Sequence, residues 1–428
     1  MLETIPAPFV SEIALRAARP EMPAAGPAGT ISRVTDELQT AEFLLADAPG
    51  RRAGYRGLPG AAVHPIRLRS GGPAWLVTGY DVARRALADP RLRGRTGAVG
   101  DRRALTETVR RGMNTHMLNL EPPDHTRLRR LISAAFTRRR MEQMRSRVQR
   151  ITDELLDAVA GDGTVDLIAA LAAPLPIQVL TELIGVPEQE STAFHGWTTT
   201  LTASGLPVSE LDGAAAEMLA YTRRLLALKR RDPRPDLLSA LVAVRDGEDR
   251  LTDDELTSMV FLLLIAGQET TANLIGNGTL ALLTNPEQRD RLLRGPDAVA
   301  AAVEEFLRYE SPVQAALRVA GEPMELDGLP IPAGAIVIVS LLAANRDAAG
   351  FGHPDDLDVA RPVNPHLAFG HGIHHCLGAP LARMEGAIAV STLLTRFPRL
   401  RLAAEPESLE WRVSLVMHGL VTLPVHLR

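Results

Sequence analysis

The stretch FGHGIHHCLGAP, residues 369–380, contains the only cysteine of the chain, Cys376. Gly370 and Gly372 allow the backbone to take a positive φ and to approach a neighbouring segment closely. Pro380 is typical of the first turn of a helix, so a helix should begin just after the cysteine. A thiolate at that place would face free backbone N–H groups and the positive end of the helix dipole, which should lower the pKa of Cys376.

Three kinds of chemistry are open to this loop. A single cysteine is often an inert buried residue, and His371, His374 and His375 beside it are possible zinc ligands. Zinc sites usually pair Cys or His ligands across two segments, and the chain has no second cysteine. A thiolate in front of a helix can also be the axial ligand of haem iron. The two glycines and the helix that follows favour the haem ligand.

A long apolar run between Thr252 and Pro286 predicts a single helix. Thr252 and Glu255 have the spacing of a capping box, and Pro286 must end the helix. In the middle stand the residues AGQETT, 266–271. Gly267 weakens a helix by about 1 kcal/mol relative to alanine, and threonine hydroxyls compete for backbone carbonyls. We therefore expect a local opening of the helix here; the alternative is a tolerated glycine in a core helix with the glutamate at the surface.

The cysteine loop resembles the haem-binding signature FGxGxHxCxG of the cytochrome P-450 monooxygenases. Every defined position matches: Phe369, Gly370, Gly372, His374, Cys376 and Gly378. The resemblance implies that Cys376 is the proximal ligand of the haem iron. It also implies that Phe369 packs near the sulfur and that His374 contacts a haem propionate.

The resemblance extends to the middle of the long helix. Ala266, Gly267, Glu269 and Thr270 match the small–Gly–x–acid–Thr motif with which this family activates oxygen. It implies that Ala266 lies beside the haem, that Thr270 stabilises the activated oxygen, and that Glu269 relays protons.

Glu305 and Arg308 in the segment EEFLR lie three residues apart on one helix face. Alone, such a pair would usually be a surface ion pair. The resemblance implies the buried structural E-x-x-R pair of the family, with Arg361 as the third member.

His125 and Arg129, at i and i+4 after two prolines, place two cations on one helix face. Such a pair is unfavourable unless an anion lies nearby, although solvated surface cations remain an alternative. The resemblance implies contacts with the haem propionates, for these two residues and for Arg318.

Residues 127–150 contain nine arginines and one acid, Glu142. The interpretation is either a solvated helix surface or a docking face for an acidic electron-transfer protein. The resemblance implies haem b, O2, and electrons from NAD(P)H passed through a separate ferredoxin reductase and ferredoxin, and the ferredoxin should dock near the face between Arg127 and Arg150.

Composition excludes several other classes of protein. Of the 428 residues 46% are apolar and 23% are charged, as in soluble globular proteins. The net charge of −4 argues against a nucleic-acid partner. The N-terminus has no basic segment followed by an apolar one, and the longest strongly apolar run, 259–266, is far shorter than the roughly 18 residues of a membrane span. We expect no membrane contact and a cytoplasmic location.

The predicted fold class is mainly α with a minor β region. The resemblance implies the cytochrome P-450 fold, a triangular helix-rich prism with the long central helix over the haem. Length alone would suggest about three domains. The sequence instead predicts a loose N-terminal arm at 1–35, rich in Pro, Ala and Gly, and one catalytic domain over 36–428. Hairpins are expected around Gly71-Gly72-Pro73 and around Asp327-Gly328.

The phrase FGHGIHHCLGAPLARMEG is most similar to the soluble bacterial branch that oxidises macrolides and related secondary metabolites, including antibiotics. Aromatic residues make up only 4% of the chain, which suggests a pocket for a bulky aliphatic or macrocyclic substrate. By family analogy the pocket is lined from 92–118, from 195–215, by the stretch after Pro312, and by five residues: Leu262, Leu263, Ala266, Met417 and His418.

We therefore predict a monooxygenase that inserts one oxygen atom into a C–H or C=C bond. Two rivals remain: a haem-thiolate enzyme that couples substrates without inserting oxygen, and a haem-binding protein that is not catalytic.

Overall fold

The computed structural model describes residues 40–69, 71–94, 106–161, 163–202, 206–246, 249–295 and 298–428. The predicted arm at 1–35 lies outside the described residues. The α-helices are α1 Ala48–Arg56, α2 Tyr80–Ala88, α3 Glu107–Asn114, α4 Asp124–Ala135, α5 Arg138–Gln143, α6 Arg145–Val159, α7 Pro174–Ile184, α8 Glu188–Thr202, α9 Val208–Arg231, α10 Leu237–Ala243, α11 Asp253–Leu283, α12 Pro286–Arg294, α13 Val299–Tyr309, α14 Leu341–Ala344 and α15 Ala379–Arg396.

In the described part of the chain the strands are short and belong to four small sheets. Their bounds are β1 Val63–Arg67, β2 Pro73–Val77, β3 Leu92–Gly94, β4 Thr164–Asp166, β5 Arg245–Asp246, β6 Asp249–Arg250, β7 Ala315–Ala320, β8 Met324–Leu326, β9 Leu329–Ile331, β10 Ile336–Ser340, β11 Arg401–Leu402 and β12 Pro424–His426. The largest sheet has the order β1-β2-β10-β7-β3, and β2 and β10 are its parallel pair. The predicted class, mainly α with a minor β region, is confirmed.

Local sequence signals explain several of these elements. The predicted hairpin at 64–78 forms from β1 and β2, which pair antiparallel. The second hairpin, β8 and β9, turns through Asp327 and Gly328, with φ of 51° and 81°. Two positive φ values in a two-residue loop match the twist of the flanking strands, which is why a D-G pair marks this turn.

The central helix α11 begins as its sequence predicts. The Thr252 hydroxyl accepts from the Glu255 N–H at 3.2 Å, and the Glu255 carboxylate accepts from the Thr252 N–H at 2.8 Å. This capping box satisfies two of the four free N–H groups of the first turn. α11 then runs unbroken to Leu283 and packs against α7, α15 and α13, among other helices.

By length and apolar composition alone, α11 could cross a membrane. However, 61% of its most apolar window is buried inside the protein, as expected for a core helix. The main hydrophobic cluster surrounds α11 and reaches from α4 to α15, and a second cluster lies against the largest sheet. α11 therefore serves as the internal axis on which the rest of the helical body packs.

Candidate active site

The cysteine loop is a tight turn that presents Cys376 immediately before α15. The Cys376 N–H donates to the Phe369 carbonyl at 2.9 Å, closing the loop on itself. Gly372 has φ of 74°, and a Cβ there would come within 3.0 Å of the α2 backbone. Only glycine fits this position, so the loop is fixed against α2 as the glycine pattern predicted. α15 begins at Ala379 with Pro380 in its first turn.

Two opposing effects act on the thiol of Cys376. Its side chain is accessible to solvent, yet the protein packed around it desolvates a thiolate, and this raises its pKa. Smaller effects lower the pKa of Cys376. They come from the N–H groups of Gly378 and Ala379 and from the charges of Arg129 and Arg383. The predicted net lowering of this pKa is therefore wrong for the protein chain alone, because desolvation outweighs the helix terminus. A bound metal cation would reverse the balance, since a coordinating thiol is deprotonated.

Four basic side chains converge beside the cysteine loop. The rings of His125 and His374 lie 4.5 Å apart, edge to face. The Arg129 guanidinium donates to the His375 carbonyl at 2.6 Å. Burial together with the charges of Arg318, His125 and Arg129 lowers the pKa of His374 to about 4.

Within the described part of the chain, several polar atoms of this basic cluster have no partner. Both ring nitrogens of His125 and the Nε2 of His374 are buried without a hydrogen-bond partner. The nearest carboxylate, Glu121, lies 4.0 Å from that Nε2 and already accepts from the Gly94 N–H. Buried polar atoms that lack partners are costly, at roughly 1–3 kcal/mol each. The cluster therefore fits an anion with several oxygen atoms, as the i, i+4 spacing of His125 and Arg129 suggested.

The segment 266–271 lies in the middle of α11, but the helix does not open there. α11 is continuous through this segment, and the Thr270 hydroxyl donates to the Ala266 carbonyl at 2.6 Å. The predicted local opening is wrong, because this hydroxyl adds to the helical hydrogen bonding and does not displace it. Ala266 is nevertheless exposed, between the buried residues Leu264 and Gln268. Open space thus reaches the helix at this point.

Glu269 is half-buried on α11. Burial raises the pKa of its carboxyl above the usual range, and the positive charge of Arg412 partly offsets this. A carboxyl whose pKa is raised in this way is a better proton donor and acceptor for catalysis than a fully solvated one. The adjacent Thr270 provides a hydroxyl for the next step of such a transfer.

Comparison with known proteins agrees with this geometry. The family model described as Cytochrome P450 matches residues 208–420. Cytochrome P450 107B1 of Saccharopolyspora erythraea is 47% identical over 405 residues, covering 92% of this chain and 99% of that protein. The 6-deoxyerythronolide B hydroxylase of the same organism is 44% identical over 377 residues, covering 86% and 93%. The ligand-free P450 monooxygenase TamI superposes with a TM-score of 0.84 at 43% identity, covering 93% and 96%.

The chain belongs to the cytochrome P450 family. It is an oxidoreductase of the monooxygenase class, which uses haem and O2 and acts on small molecules with the help of redox partners. The predicted family, its bacterial secondary-metabolite branch and the P450 fold are confirmed.

The residues of this P450 fit a haem group. An accessible thiol precedes α15, a basic cluster with unpaired imidazole nitrogens lies beside it, and α11 is exposed at Ala266. The thiol would suit the iron, and the basic cluster would suit the two propionates. The exposed part of α11 would suit the open face of the ring. His125, Arg129, Arg318 and His374 would hold the propionates.

The Glu305–Arg308 pair is fully buried. Its nitrogen and oxygen atoms lie 2.7 Å apart, and both side chains have no exposed surface. Arg308 also donates to the carbonyls of Asn345 and Pro354. Arg361 donates to Glu305 at 3.0 Å, so all three predicted members meet in one network. The network ties α13 to the irregular segment that leads into the cysteine loop.

The predicted substrate-contact residues differ in how deeply they are buried. Leu262 and Leu263 are half-buried against the main hydrophobic cluster, and Met417 is half-buried in the C-terminal turn. The prediction for His418 is wrong: it is 1% exposed and bonded to Glu310 and Arg51 through its two ring nitrogens.

Two of the predicted pocket-lining regions, 92–118 and 195–215, are described only in part. Residues 95–105 of the first and 203–205 of the second lie outside the described residues. The remainder of the first consists of β3, α3 and Met117–Asn119; that of the second consists of the end of α8 and the start of α9.

Sequence reasoning missed a second ion pair behind the cysteine loop. Arg383 donates to Glu304 at 2.7 Å and 2.9 Å, and His366 lies 3.1 Å from the same carboxylate. The Arg383 guanidinium also lies 4.5 Å from the centre of the Phe369 ring. Arg383 lies near the start of α15, but its partner Glu304 lies on α13, so no local sequence pattern could reveal the pair.

The face between Arg127 and Arg150 is less basic than its local sequence suggests. Arg127 binds Asp249 and Glu255, while Arg147 and Arg150 bind Glu182. These acids come from distant segments, so the local count of one acid overstates the charge. Among the described residues, Arg138 and Arg139 at the start of α5 are exposed and form no direct ion pair, although the charge of Arg138 acts on Glu142.

Proposed function

We propose that this P450 inserts one oxygen atom from O2 into a C–H or C=C bond of a bulky macrolide- or polyketide-like metabolite. The observation that carries the reaction type is the Glu269-Thr270 pair on α11, with a half-buried carboxyl of raised pKa beside a hydroxyl. The substrate class is supported by the 6-deoxyerythronolide B hydroxylase relative and by the low aromatic content of 4%.

In this proposal each group of residues has one task. Haem b, when bound, supplies the chemistry that activates O2. Cys376 holds the iron through its sulfur, and Phe369 and Gly378 shape the space around that sulfur. A Cβ on Gly378 would lie 3.8 Å from the Cys376 Sγ, in ordinary van der Waals contact, so this position borders the sulfur. The basic cluster of His125, Arg129, Arg318 and His374 orients the ring through its propionates.

The remaining tasks concern protons and the substrate. Glu269 takes protons from solvent and passes them through the Thr270 hydroxyl toward the oxygen site. Leu262, Leu263, Ala266 and Met417 hold the substrate. We also propose that 36–428 forms a single catalytic domain and that the enzyme is soluble and cytoplasmic.

The substrate class is tested by adding a macrolactone, and separately a small planar aromatic compound, to the ferric enzyme. The macrolactone should shift the iron spin state and then give a product heavier by one oxygen atom with reconstituted redox partners. Dimeric products without added oxygen would favour the coupling enzyme, and binding without turnover would favour the non-catalytic protein. Turnover restricted to planar aromatics would contradict the proposed substrate class.

Thr270→Ala should uncouple the enzyme. Because the hydroxyl that passes protons is lost, NAD(P)H consumption should continue while product per NAD(P)H falls at least about tenfold and peroxide rises. Thr270→Ser keeps the hydroxyl and should keep most of the coupling. The measurement is the product-to-NAD(P)H ratio, and a wild-type ratio in Thr270→Ala would refute this role.

Electrons from NAD(P)H are proposed to arrive through a ferredoxin that docks at Arg138 and Arg139. Arg138→Glu or Arg139→Glu should slow ferredoxin association about tenfold at low salt and less at high salt, since the steering is electrostatic. Arg69→Glu, an exposed charge change after β1, is the control. Equal effects of all three variants on the rate of first-electron transfer would argue against this docking face.

A further inference from the structure

One face of the central helix α11 carries three polar residues, each four positions apart: Glu269, Asn273 and Asn277. Residues at this spacing lie one above the other on a helix. The Asn277 amide donates to the His418 carbonyl at 2.9 Å. A Cβ on Gly419 would overlap the Asn273 amide, so these two residues are in close contact. This polar face therefore lies against the C-terminal turn, residues 411–420.

The C-terminal turn brings Arg412 to the level of Glu269. Within the turn, Trp411 pairs with Leu420, and the Arg412 N–H donates to the Gly419 carbonyl at 2.9 Å. Gly419, the partner of Arg412 across the turn, packs on Asn273, which lies one helical turn from Glu269 on the polar face. Among the described residues, Arg412 is the charged group whose field acts on that carboxyl. The Nε of Arg412 is buried and has no hydrogen-bond partner.

The turn itself is anchored by His418. Its Nδ1 accepts from the Arg51 guanidinium at 2.8 Å, so its proton is on Nε2, which donates to Glu310 at 2.6 Å. Its ring stacks on Trp411 at 4.5 Å with an angle of 11° between the planes. Arg346 also binds Glu310, at 3.1 Å. These buried contacts fix the residue next to Arg412 and hence the direction from which its guanidinium approaches α11.

We propose that Arg412 is a positioning residue for proton delivery, which keeps the Glu269 carboxylate charged and oriented toward Thr270. The inference rests on the role proposed above for Glu269. Without a neighbouring cation, the burial of this carboxyl would favour its protonated form. An arginine supplies a charge that does not titrate at working pH, so it favours release of that proton. Because His418 anchors the C-terminal turn, the Arg412 charge is already in place when the proton is transferred.

The test compares Arg412→Gln, Arg412→Lys and Glu269→Gln, with Arg401→Gln as the control at an exposed arginine on β11. The ferrous–CO spectrum and the substrate-induced spin shift first establish that each variant is folded and binds haem. The readout is the ratio of product to NAD(P)H as a function of pH, which reports the proton transfers of Glu269 rather than the amount of folded enzyme.

In Arg412→Gln, we expect the apparent pKa of this pH profile to rise by about one unit and the coupling to fall about tenfold. Arg412→Lys should restore both, and Arg401→Gln should match the wild type. The Glu269→Gln/Arg412→Gln double variant should be no worse than Glu269→Gln alone, because both residues act in one step.

Two results would overturn the inference about Arg412, and one of them would also refute the role proposed for Glu269. If Glu269→Gln uncouples while Arg412→Gln keeps the wild-type profile, Arg412 has no such role and the proposed role of Glu269 stands. If Glu269→Gln itself keeps wild-type coupling, the role proposed for Glu269 fails, and the inference about Arg412 fails with it.

Discussion

Replacing Cys376 by serine should abolish monooxygenation. Cys376 is the only cysteine, so no other thiolate in the chain can take its place. A serine hydroxyl is a far weaker electron donor to iron than a thiolate, and donation from that ligand favours O–O cleavage. The measurement is product formation with reconstituted redox partners, together with haem content per chain. We expect haem to be retained in part and product to be undetectable.

The loop geometry makes this a local change. Cys376 is accessible to solvent, and the loop is held by the Cys376 N–H, which serine keeps. The far-ultraviolet circular dichroism and the unfolding midpoint should therefore match the wild type. Product formation by Cys376→Ser at the wild-type rate would remove Cys376 from the mechanism altogether.

Replacing Arg308 by methionine should destabilise the whole protein. The substitution leaves the Glu305 carboxylate fully buried with one partner fewer, and breaking a buried ion pair typically costs about 3–5 kcal/mol. It also removes the donors that hold the carbonyls of Asn345 and Pro354. The free energy of unfolding, measured by urea denaturation of the haem-loaded enzyme, should fall by that amount.

The chain offers a matched control for this prediction. Arg145 and Glu142 form a pair with the same spacing of three residues, but their side chains are 55% and 57% exposed. Exposed pairs of this kind contribute about 0–1 kcal/mol. Arg145→Met should therefore change the free energy of unfolding by less than about 1 kcal/mol. Equal losses in the two variants would show that the buried network does not carry the stability assigned to it.

The sequence predicted features that depend on a few neighbouring residues. The capping box at Thr252 and Glu255, the turn at Asp327-Gly328 and the helix start after Cys376 all formed as expected. Each is determined by backbone hydrogen bonds or φ preferences within one short segment. The cysteine motif also indicated the family, because it combines glycine conformations, a thiol and a helix start within one short stretch of chain.

Features that depend on distant segments were predicted less well. The local arginine count could not show that Glu182 and Glu255 fold back onto the face between Arg127 and Arg150. The sequence suggested His418 as a substrate contact, whereas its partners come from α1 and from the residue that follows α13. Burial raised the pKa of Cys376 against the effect of the helix terminus, and burial is a property of the packed protein.

The central claim is that Cys376, as a thiolate, is the axial ligand of the haem iron. The most direct test is the difference spectrum of the dithionite-reduced protein with and without carbon monoxide. We predict the strongly red-shifted Soret band of a thiolate-ligated ferrous–CO haem, and its loss in Cys376→Ser. A protein that takes up no haem, or a band at the position of histidine-ligated or neutral-thiol haem, would contradict the account.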